Sequence, residues 1–188
     1  MQPDYVQIGE RTYHGGIGFG RWGNERITIG KWCSISQGVK MLAGGNHRTD
    51  SVSTYPFDTL LTQVASKPTE DRSYDPKNGD IVVGNDVWIG YGASLCGSMT
   101  IGHGAVIAAN AVVFTDIPPY AIAVGNPARV TKYRFDEATI ERLLRVAWWD
   151  MPESGIRAYV DMFYAPVDEF LEFMESLPVM DRMEFSHA

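Results

Sequence analysis

The sequence predicts a mainly β protein: a left-handed parallel β-helix built from a hexapeptide repeat, with a long excursion loop and C-terminal helices. The first observation is a run of aliphatic residues that recur every sixth position without a break, at Val83, Ile89, Leu95, Ile101, Ile107 and Val113. The second is the small residue that follows most of them, at Gly84, Gly90, Cys96, Gly102 and Ala108. The third is a copy of the same pattern in the first half of the chain, around Ile29 and Ile35.

A unit of six residues is one short strand and a turn, and three units close a triangular coil of about eighteen residues. The aliphatic residue of each unit is expected to point into the prism and stack on its counterpart in the next coil. The small residue after it is expected to let the backbone turn sharply. Accidental periodicity in a β-sandwich is the competing interpretation, and the unbroken register disfavours it.

The repeat predicts a β-helix over residues 1–132, interrupted by an excursion loop at about 46–80, and a helical extension over 133–188. An insertion of that length inside a regular repeat is more often functional than decorative. In the extension, apolar residues at helical spacing predict helices at Phe135–Trp149 and Val167–Leu177.

Composition and charge exclude several classes of function. The 188-residue chain carries a formal net charge of −7, which disfavours binding to nucleic acid. It shows no signal-peptide pattern and no apolar run near the ~20 residues of a membrane span, so we expect a soluble cytoplasmic protein without membrane contact. Cys33 and Cys96 are far apart and lack zinc-ligand spacing, so we expect free thiols and no metal.

His47 is the histidine best placed for chemistry. It lies at the start of the excursion, one residue after a glycine pair, whereas His14, His103 and His187 lie in a glycine-rich stretch, at a variable repeat position and at the C-terminus. Glycines allow close approach of a ligand, and histidine is the side chain best suited to proton transfer near neutral pH. From spacing alone, a general base and a turn histidine bonded to the local backbone are equally good interpretations.

The segment from Gly44 to Asp50, Gly-Gly-Asn-His-Arg-Thr-Asp, followed by Ser-Thr-Tyr-Pro-Phe at 53–57, resembles the signature of the xenobiotic acetyltransferases. This family of hexapeptide-repeat acyltransferases includes the type B chloramphenicol and streptogramin A acetyltransferases. The match runs from about residue 5 to 150 and includes Gly79–Gly90, Pro118–Ala128, Tyr133–Phe135 and Trp148–Trp149. The resemblance implies direct transfer from acetyl-CoA with His47 as general base, in a homotrimer whose active sites lie between subunits. The partner that fixes the His47 tautomer is not evident from the sequence.

Coenzyme A requires a long groove. On an eighteen-residue coil, Tyr91, Ala109 and Pro127 should stack along one edge and form a track for the pantetheine arm. Residues that match Tyr91 and Ala109 contact the cofactor in related acyltransferases, and Trp88, just before this line, is expected to wall the thiol end.

Beyond the last coil, Arg129 and Lys132 are the expected partners of the 3′-phosphate and pyrophosphate. Solvated basic side chains and a packing tryptophan are the ordinary alternatives for these positions.

The acceptor end is expected to be built by the excursion. An apolar surface is supplied by Tyr55, Pro56 and Phe57 and extended by Leu60–Leu61. It would either line a pocket for an apolar acceptor or pack against a neighbouring subunit. Tyr13 matches an aromatic position that faces the acceptor in some relatives of this family.

The predicted function is therefore acetyl-CoA-dependent O-acetylation of a small molecule, an antibiotic such as chloramphenicol or streptogramin A. The main alternative is a biosynthetic O- or N-acetyltransferase of a sugar or nucleotide sugar. A cysteine nucleophile, a non-catalytic scaffold and a γ-type carbonic anhydrase are the remaining alternatives, and the last needs three histidines around zinc. The acceptor, and whether its nucleophile is a hydroxyl or an amine, are not determined by the sequence.

Overall fold

A computed structural model describes residues 2–57 and 79–177. The chain divides into two compact units, Met1–Lys132 and Tyr133–Ala188. The described strands are β1 (Val6–Ile8), β2 (Tyr13–His14), β3 (Ile17–Arg21), β4 (Ile27–Ile29), β5 (Ser34–Ile35), β6 (Val39–Ala43), β7 (Ile81–Val83), β8 (Trp88–Ile89), β9 (Ser94–Cys96), β10 (Met99–Ile101), β11 (Val106–Ile107), β12 (Val112–Val113), β13 (Ala121–Gly125) and β14 (Ala128–Tyr133).

These strands form the sheets of a left-handed parallel β-helix, as predicted. The first sheet has the order β1-β4-β7-β10, the second β14-β13-β11-β8-β5-β2, and the third β12-β9-β6-β3. From β1 to β12 the chain visits the three sheets in turn, so each set of three consecutive strands there is one coil of the prism, whereas β13 and β14 both belong to the second sheet. Coils stack through parallel ladders, for example Trp88 with Val106 and Ile89 with Ile107.

The repeat aliphatics form the core of this prism. Every one of the six predicted from Val83 to Val113 is buried, and Ile89, Leu95 and Ile107 are completely inaccessible to solvent. Burying one such side chain stabilises the fold by about 1.5–3 kcal/mol. The stacked aliphatics therefore explain why a strict period of six specifies this fold.

The small residues that follow the aliphatics act differently from the expectation. Gly9, Gly30, Gly84 and Gly102 share one corner of successive coils, and none of them has a positive φ. A Cβ atom at any of the four would lie 2.8 Å or less from an atom of the next coil. This corner therefore requires glycine because adjacent coils approach each other closely, and the sharp turn itself does not require it.

Breaks in the register mark where the repeat is interrupted. Asn85 and His103, joined by a hydrogen bond between regular coils, are 18 residues apart. Arg26 and Asp80, joined in the same way across the second coil, are 54 residues apart. The second coil thus contains the excursion. Residues 58–78 of the excursion, which include Leu60–Leu61, lie outside the described part of the chain.

The last coil is shorter than the others. The Thr100 N–H donates to the carboxylate of Asp116, 16 residues on, and Val106 pairs with Ile122. The expectation that Pro127 stacks on Ala109 is therefore wrong, because position 125 is the one in register with Ala109.

The second unit contains helices α1 (Glu137–Val146), α2 (Glu153–Ala158) and α3 (Val167–Ser176), and 3-10 turns at Trp148–Asp150 and Val160–Tyr164. Helix α1 is shorter than the predicted Phe135–Trp149 because it ends at Ala147, whose φ of 44° is left-handed. The Asp136 carboxylate caps α1 by accepting from the Thr139 N–H at 2.9 Å, which lowers the pKa of Asp136. No helix in the described residues is long and apolar enough to span a bilayer.

Candidate active site

His47 lies where the chain leaves strand β6 of the third sheet and turns toward the first sheet. We call this corner of the prism the histidine edge; it comprises residues 22–26 of the first coil, 44–47 of the second and 97–98 of the third. The His47 side chain is exposed to solvent. Its chemistry is therefore available to a molecule bound outside the prism.

A hydrogen bond joins the His47 ring to the excursion. Its Nδ1 lies 2.6 Å from the carbonyl oxygen of Thr54. Because a carbonyl oxygen can only accept, Nδ1 carries the proton, and the neutral ring presents the lone pair of Nε2. This carbonyl supplies the tautomer partner that the sequence did not identify.

The glycine pair before His47 is tightly enclosed by the first coil. Gly44 and Gly45 have φ values of 68° and 78°, in the left-handed region that favours glycine. A Cβ at Gly45 would lie 2.5 Å from Cε3 of Trp22, and one at Gly44 would overlap the carboxylate of Glu25. Trp22 and Glu25 were not predicted as site residues, since they lie in an irregular stretch where no repeat sets the register.

The histidine loop also lies against the third coil. Gly97 has a φ of 98°, and a Cβ there would be 3.2 Å from the side-chain nitrogen of Asn46. Asn46 thus bridges from the second coil to the third. The loop that carries His47 is fixed from both neighbouring coils.

The predicted acceptor residues of the excursion form an aromatic pair. The rings of Tyr55 and Phe57 lie 4.9 Å apart; both are exposed, and Pro56 between them is buried. This surface is available both to an acceptor and to a neighbouring subunit, so the two interpretations remain open.

Tyr13 and Trp88 lie on a different face. Tyr13 pairs with Ser34, and Ser34 pairs with Trp88, so the three form one outward column on the second sheet. Tyr13 is 67% exposed and Trp88 56%. In a triangular coil this face is opposite the histidine edge, because that edge joins the third sheet to the first. The structure therefore places Tyr13 and Trp88 on one face, two strands apart, and that face is not the one that carries His47 of the same chain.

Of the three residues predicted to stack along one edge, Tyr91 and Ala109 are in register and Pro127 is not. Tyr91 and Ala109 are both exposed, and the N–H of Asn110 donates to the Tyr91 carbonyl at 2.8 Å, which stacks this corner. Pro127 is exposed in the turn between β13 and β14, two residues beyond the position in register.

Arg129 and Lys132 are exposed on strand β14. They are three residues apart, so they point to opposite faces of the strand. The Arg129 guanidinium also donates to the carbonyl of Ala128 at 2.8 Å. The two cations are thus placed to meet separate groups and do not form one cluster.

Two other histidines are engaged with the backbone. The Nδ1 of His103 accepts from the N–H of Asn85 at 2.8 Å, and the Nδ1 of His14 accepts from the N–H of Gly16 at 3.2 Å. His187 lies outside the described residues. Within the ranges 2–57 and 79–177, no three His, Cys, Asp or Glu side chains are grouped as metal ligands would be.

Both cysteines are free thiols. Cys33 is buried and its Sγ lies 3.1 Å from the carbonyl oxygen of Gly84; burial raises the pKa of this thiol. Burial also raises the pKa of Cys96, and the charge of Lys40 opposes that effect in part. Both thiols are held protonated, which does not favour a nucleophile.

Comparison with known proteins identifies the family, although no family model matches the chain. The chain is 43% identical to a probable macrolide acetyltransferase of Lysinibacillus sphaericus, over 67% of this chain and 70% of that protein. It is 33% identical to a chloramphenicol acetyltransferase of Morganella morganii, over 81% of this chain and 79% of that protein. A virginiamycin A acetyltransferase of Staphylococcus aureus is 41% identical, over 68% of this chain and 58% of that protein. The chain belongs to the xenobiotic acetyltransferases.

Solved structures agree with this membership in the hexapeptide-repeat enzymes. A hexapeptide-repeat acetyltransferase of Vibrio cholerae, crystallised with acetyl coenzyme A, has a TM-score of 0.52 at 26% identity, over 71% of this chain and 62% of that chain. The polySia-specific acetyltransferase NeuO has a TM-score of 0.52 at 26% identity, over 70% of this chain and 56% of that chain. The protein is therefore an acetyltransferase with the fold predicted from the repeat. The matched region spans between 56% and 79% of the length of these five proteins.

Proposed function

We propose that this xenobiotic acetyltransferase transfers an acetyl group from acetyl-CoA to a hydroxyl of a small-molecule antibiotic such as chloramphenicol or streptogramin A, with His47 as general base. The observation that carries the proposal is the 2.6 Å contact between His47 Nδ1 and the Thr54 carbonyl. With its proton on Nδ1, the neutral ring carries its lone pair on Nε2, the form that a general base requires.

The reaction is a single displacement. Nε2 of His47 takes the proton of the acceptor hydroxyl while its oxygen forms a bond to the thioester carbonyl carbon. The C–S bond then breaks, and the coenzyme A thiolate leaves with the proton that His47 held. A backbone N–H stabilises the oxyanion between these steps. In this mechanism the acetyl group passes directly to the acceptor without an acyl-enzyme, and the raised pKa values of Cys33 and Cys96 do not favour either thiol as a nucleophile.

The donor site rests on exposed residues of the second sheet and its edge. Trp88 walls the thiol end, Tyr91 and Ala109 line the pantetheine arm, and Arg129 and Lys132 bind the phosphates. The acetyl-CoA complex of the Vibrio cholerae neighbour supports this choice of donor. Pro127 is left out of the track because it is out of register.

The separation of His47 from Tyr13 and Trp88 supports a homotrimer with active sites between subunits. A molecule that contacts both sets in one chain would have to pass around the prism. A second copy can instead present its second sheet to the histidine edge of the first, which is the ordinary arrangement in closed cyclic oligomers. Tyr55 and Phe57 extend from the same loop as His47 and reach toward such a neighbour.

His47→Ala tests the base directly. General-base catalysis contributes about 10²- to 10⁴-fold, so kcat with acetyl-CoA and chloramphenicol should fall by that factor. Thiol release with a chromogenic disulfide measures the rate, and a trimer of unchanged elution volume and melting temperature is the control. A variant with unchanged kcat would remove His47 from the mechanism.

A sugar acetyltransferase is the second candidate, because the polySia-specific enzyme is a structural neighbour of this chain. A panel of chloramphenicol, streptogramin A, neutral sugars and amino sugars separates the two. Transfer confined to the sugars would replace the antibiotic assignment. Mild alkali then distinguishes the product, since it hydrolyses an acetyl ester and leaves an acetamide intact.

A further inference from the structure

We propose that Trp22 is an acceptor-binding residue, whose indole forms an aromatic wall beside His47 and selects neutral acceptors with a flat or apolar face. This inference rests on the proposed function and specifies its substrate class. The position belongs to the irregular first coil, which no repeat pattern reaches.

Trp22 lies on the histidine edge. Strand β3 pairs with β6 up to Arg21 opposite Ala43, so Trp22, directly after β3, lies beside the glycine pair that directly follows β6. An added Cβ on Gly45 would meet the Trp22 ring at 2.5 Å. Gly45 is two residues from His47, and two peptide units span at most about 7.6 Å between Cα atoms. The indole is therefore packed against the loop that carries the imidazole, and the proposed acceptor would contact both.

The indole is fixed on one side and open on the other. A Cβ added to Gly20 would meet its Cη2 atom at 3.4 Å, and Gly45 lies against Cε3 and Cδ2. Trp22 is nevertheless 55% exposed. An exposed tryptophan alone signifies little. The Trp22 indole, however, packs on glycines of two coils and leaves its remaining surface exposed next to the proposed base. It is therefore a preorganised binding surface.

The charges at this edge indicate the kind of acceptor. The Arg48 guanidinium is paired with the Asp50 carboxylate at 2.6 Å. Glu25 adds a half-buried carboxylate, which accepts from the N–H of Gly23 at 2.8 Å. Among the described residues 22–26 and 44–50, Arg26 is the further cation, and its backbone is tied to Asp80. This balance gives an acidic acceptor, such as a nucleotide sugar, no excess of positive charge, whereas an indole stacks well on a neutral aromatic or apolar surface.

The test uses Trp22→Ala and Trp22→Phe in the full-length protein with acetyl-CoA and chloramphenicol. For Trp22→Ala the acceptor KM should rise about 10- to 30-fold, the range for truncating a buried aromatic contact. Trp22→Phe keeps a flat ring and should restore KM to within about threefold of wild type. The KM for acetyl-CoA and kcat should change less than about twofold. Tyr164→Ala, which removes an aromatic side chain that is 86% exposed in the second unit, is the matched control.

The outcomes separate this inference from the proposed function. A fall in kcat at unchanged acceptor KM would mean that Trp22 only positions the histidine loop, and it would overturn the inference, as would unchanged kinetics. A wild-type enzyme that acetylates no member of the panel would refute the proposed function instead. In that case, quenching of tryptophan fluorescence by chloramphenicol decides: the signal should be present in wild type and reduced in Trp22→Phe, and equal quenching would contradict the inference.

Discussion

Gly30→Ala tests the physical account of how adjacent coils pack. The Cβ would lie 2.5 Å from the carbonyl oxygen of Gly84 and from the side-chain oxygen of Asn85, whereas ordinary contact begins at 3.4 Å. The two coils must therefore separate locally by about 0.9 Å, a large fraction of a strand spacing of about 4.8 Å. That movement also strains the 2.7 Å hydrogen bond from the Lys31 N–H to Asn85.

Two terms of opposite sign set the magnitude. Overpacking costs about 1–3 kcal/mol, and weakening the Asn85 hydrogen bond adds about 0.5–1.5 kcal/mol. Against this, alanine restricts the unfolded chain and stabilises by about 0.4–1 kcal/mol where the native backbone accommodates it. The net expectation for Gly30→Ala is a loss of about 1–3 kcal/mol, or about 2–12 °C in Tm for a chain of this size.

Thermal and urea denaturation followed by circular dichroism, at matched protein concentration, measure the change. Gly18→Ala is the control, because its Cβ would make only ordinary contacts, with Cγ of Lys40 at 3.6 Å and the carbonyl oxygen of Val39 at 3.8 Å; it should be neutral or slightly stabilising. If Gly30→Ala were as stable as Gly18→Ala, close approach of the coils would not be the reason for glycine at this corner.

Two further predictions concern the thiols and the donor site. With iodoacetamide at pH 8.5, near the reference pKa of a free thiol, the raised pKa and burial of Cys33 should leave it unlabelled in the native protein. Cys96, which is partly exposed and also has a raised pKa, should react more slowly than in the urea-unfolded chain. Peptide mass spectrometry measures the labelling of both cysteines. Labelling of Cys33 in the native protein would contradict its burial in the core. Lys132→Ala and Arg129→Ala should each raise the KM for acetyl-CoA about 3- to 10-fold. The rise in KM should be smaller at high salt. With the acetylated form of 3′-dephospho-CoA as donor, the rise should disappear for the residue that binds the 3′-phosphate. A variant whose KM for acetyl-CoA equals that of wild type would refute a phosphate role for that residue.

The regular part of the fold was predictable because burial enforces it at every sixth position. A polar residue in place of Ile89 or Leu95 would lie in the sealed interior, so the period is visible in one sequence. The register of the last coil was not predictable. Its loss of two residues between Val113 and Ile117 moves every later position, and nothing in the local composition shows that change.

The site was predictable only in part, for a related reason. His47 is predicted from its motif and stays a prediction, and the exposure of Trp88 and Tyr91 follows from their outward repeat positions. Thr54 was missed because it contributes only a carbonyl group, which every residue has. Trp22 and Glu25 were missed because they contact residues of the second coil, Gly45 and Gly44. The pairing register between the first two coils at this edge is not evident from the sequence.

The proposed base and Trp22 both lie at departures from the period of eighteen. In the first coil Ile17 pairs with Val39, 22 residues on, and the added length holds Trp22 and Glu25. The second coil spans 54 residues between Arg26 and Asp80, and its excess begins at the histidine loop. In a regular coil each residue lies in the core, in a ladder or at a corner, so the coil has no additional residues that could form a projecting loop. Lengthened coils can project side chains beyond the prism without disturbing the stack, and both of these lengthened coils project at the same edge.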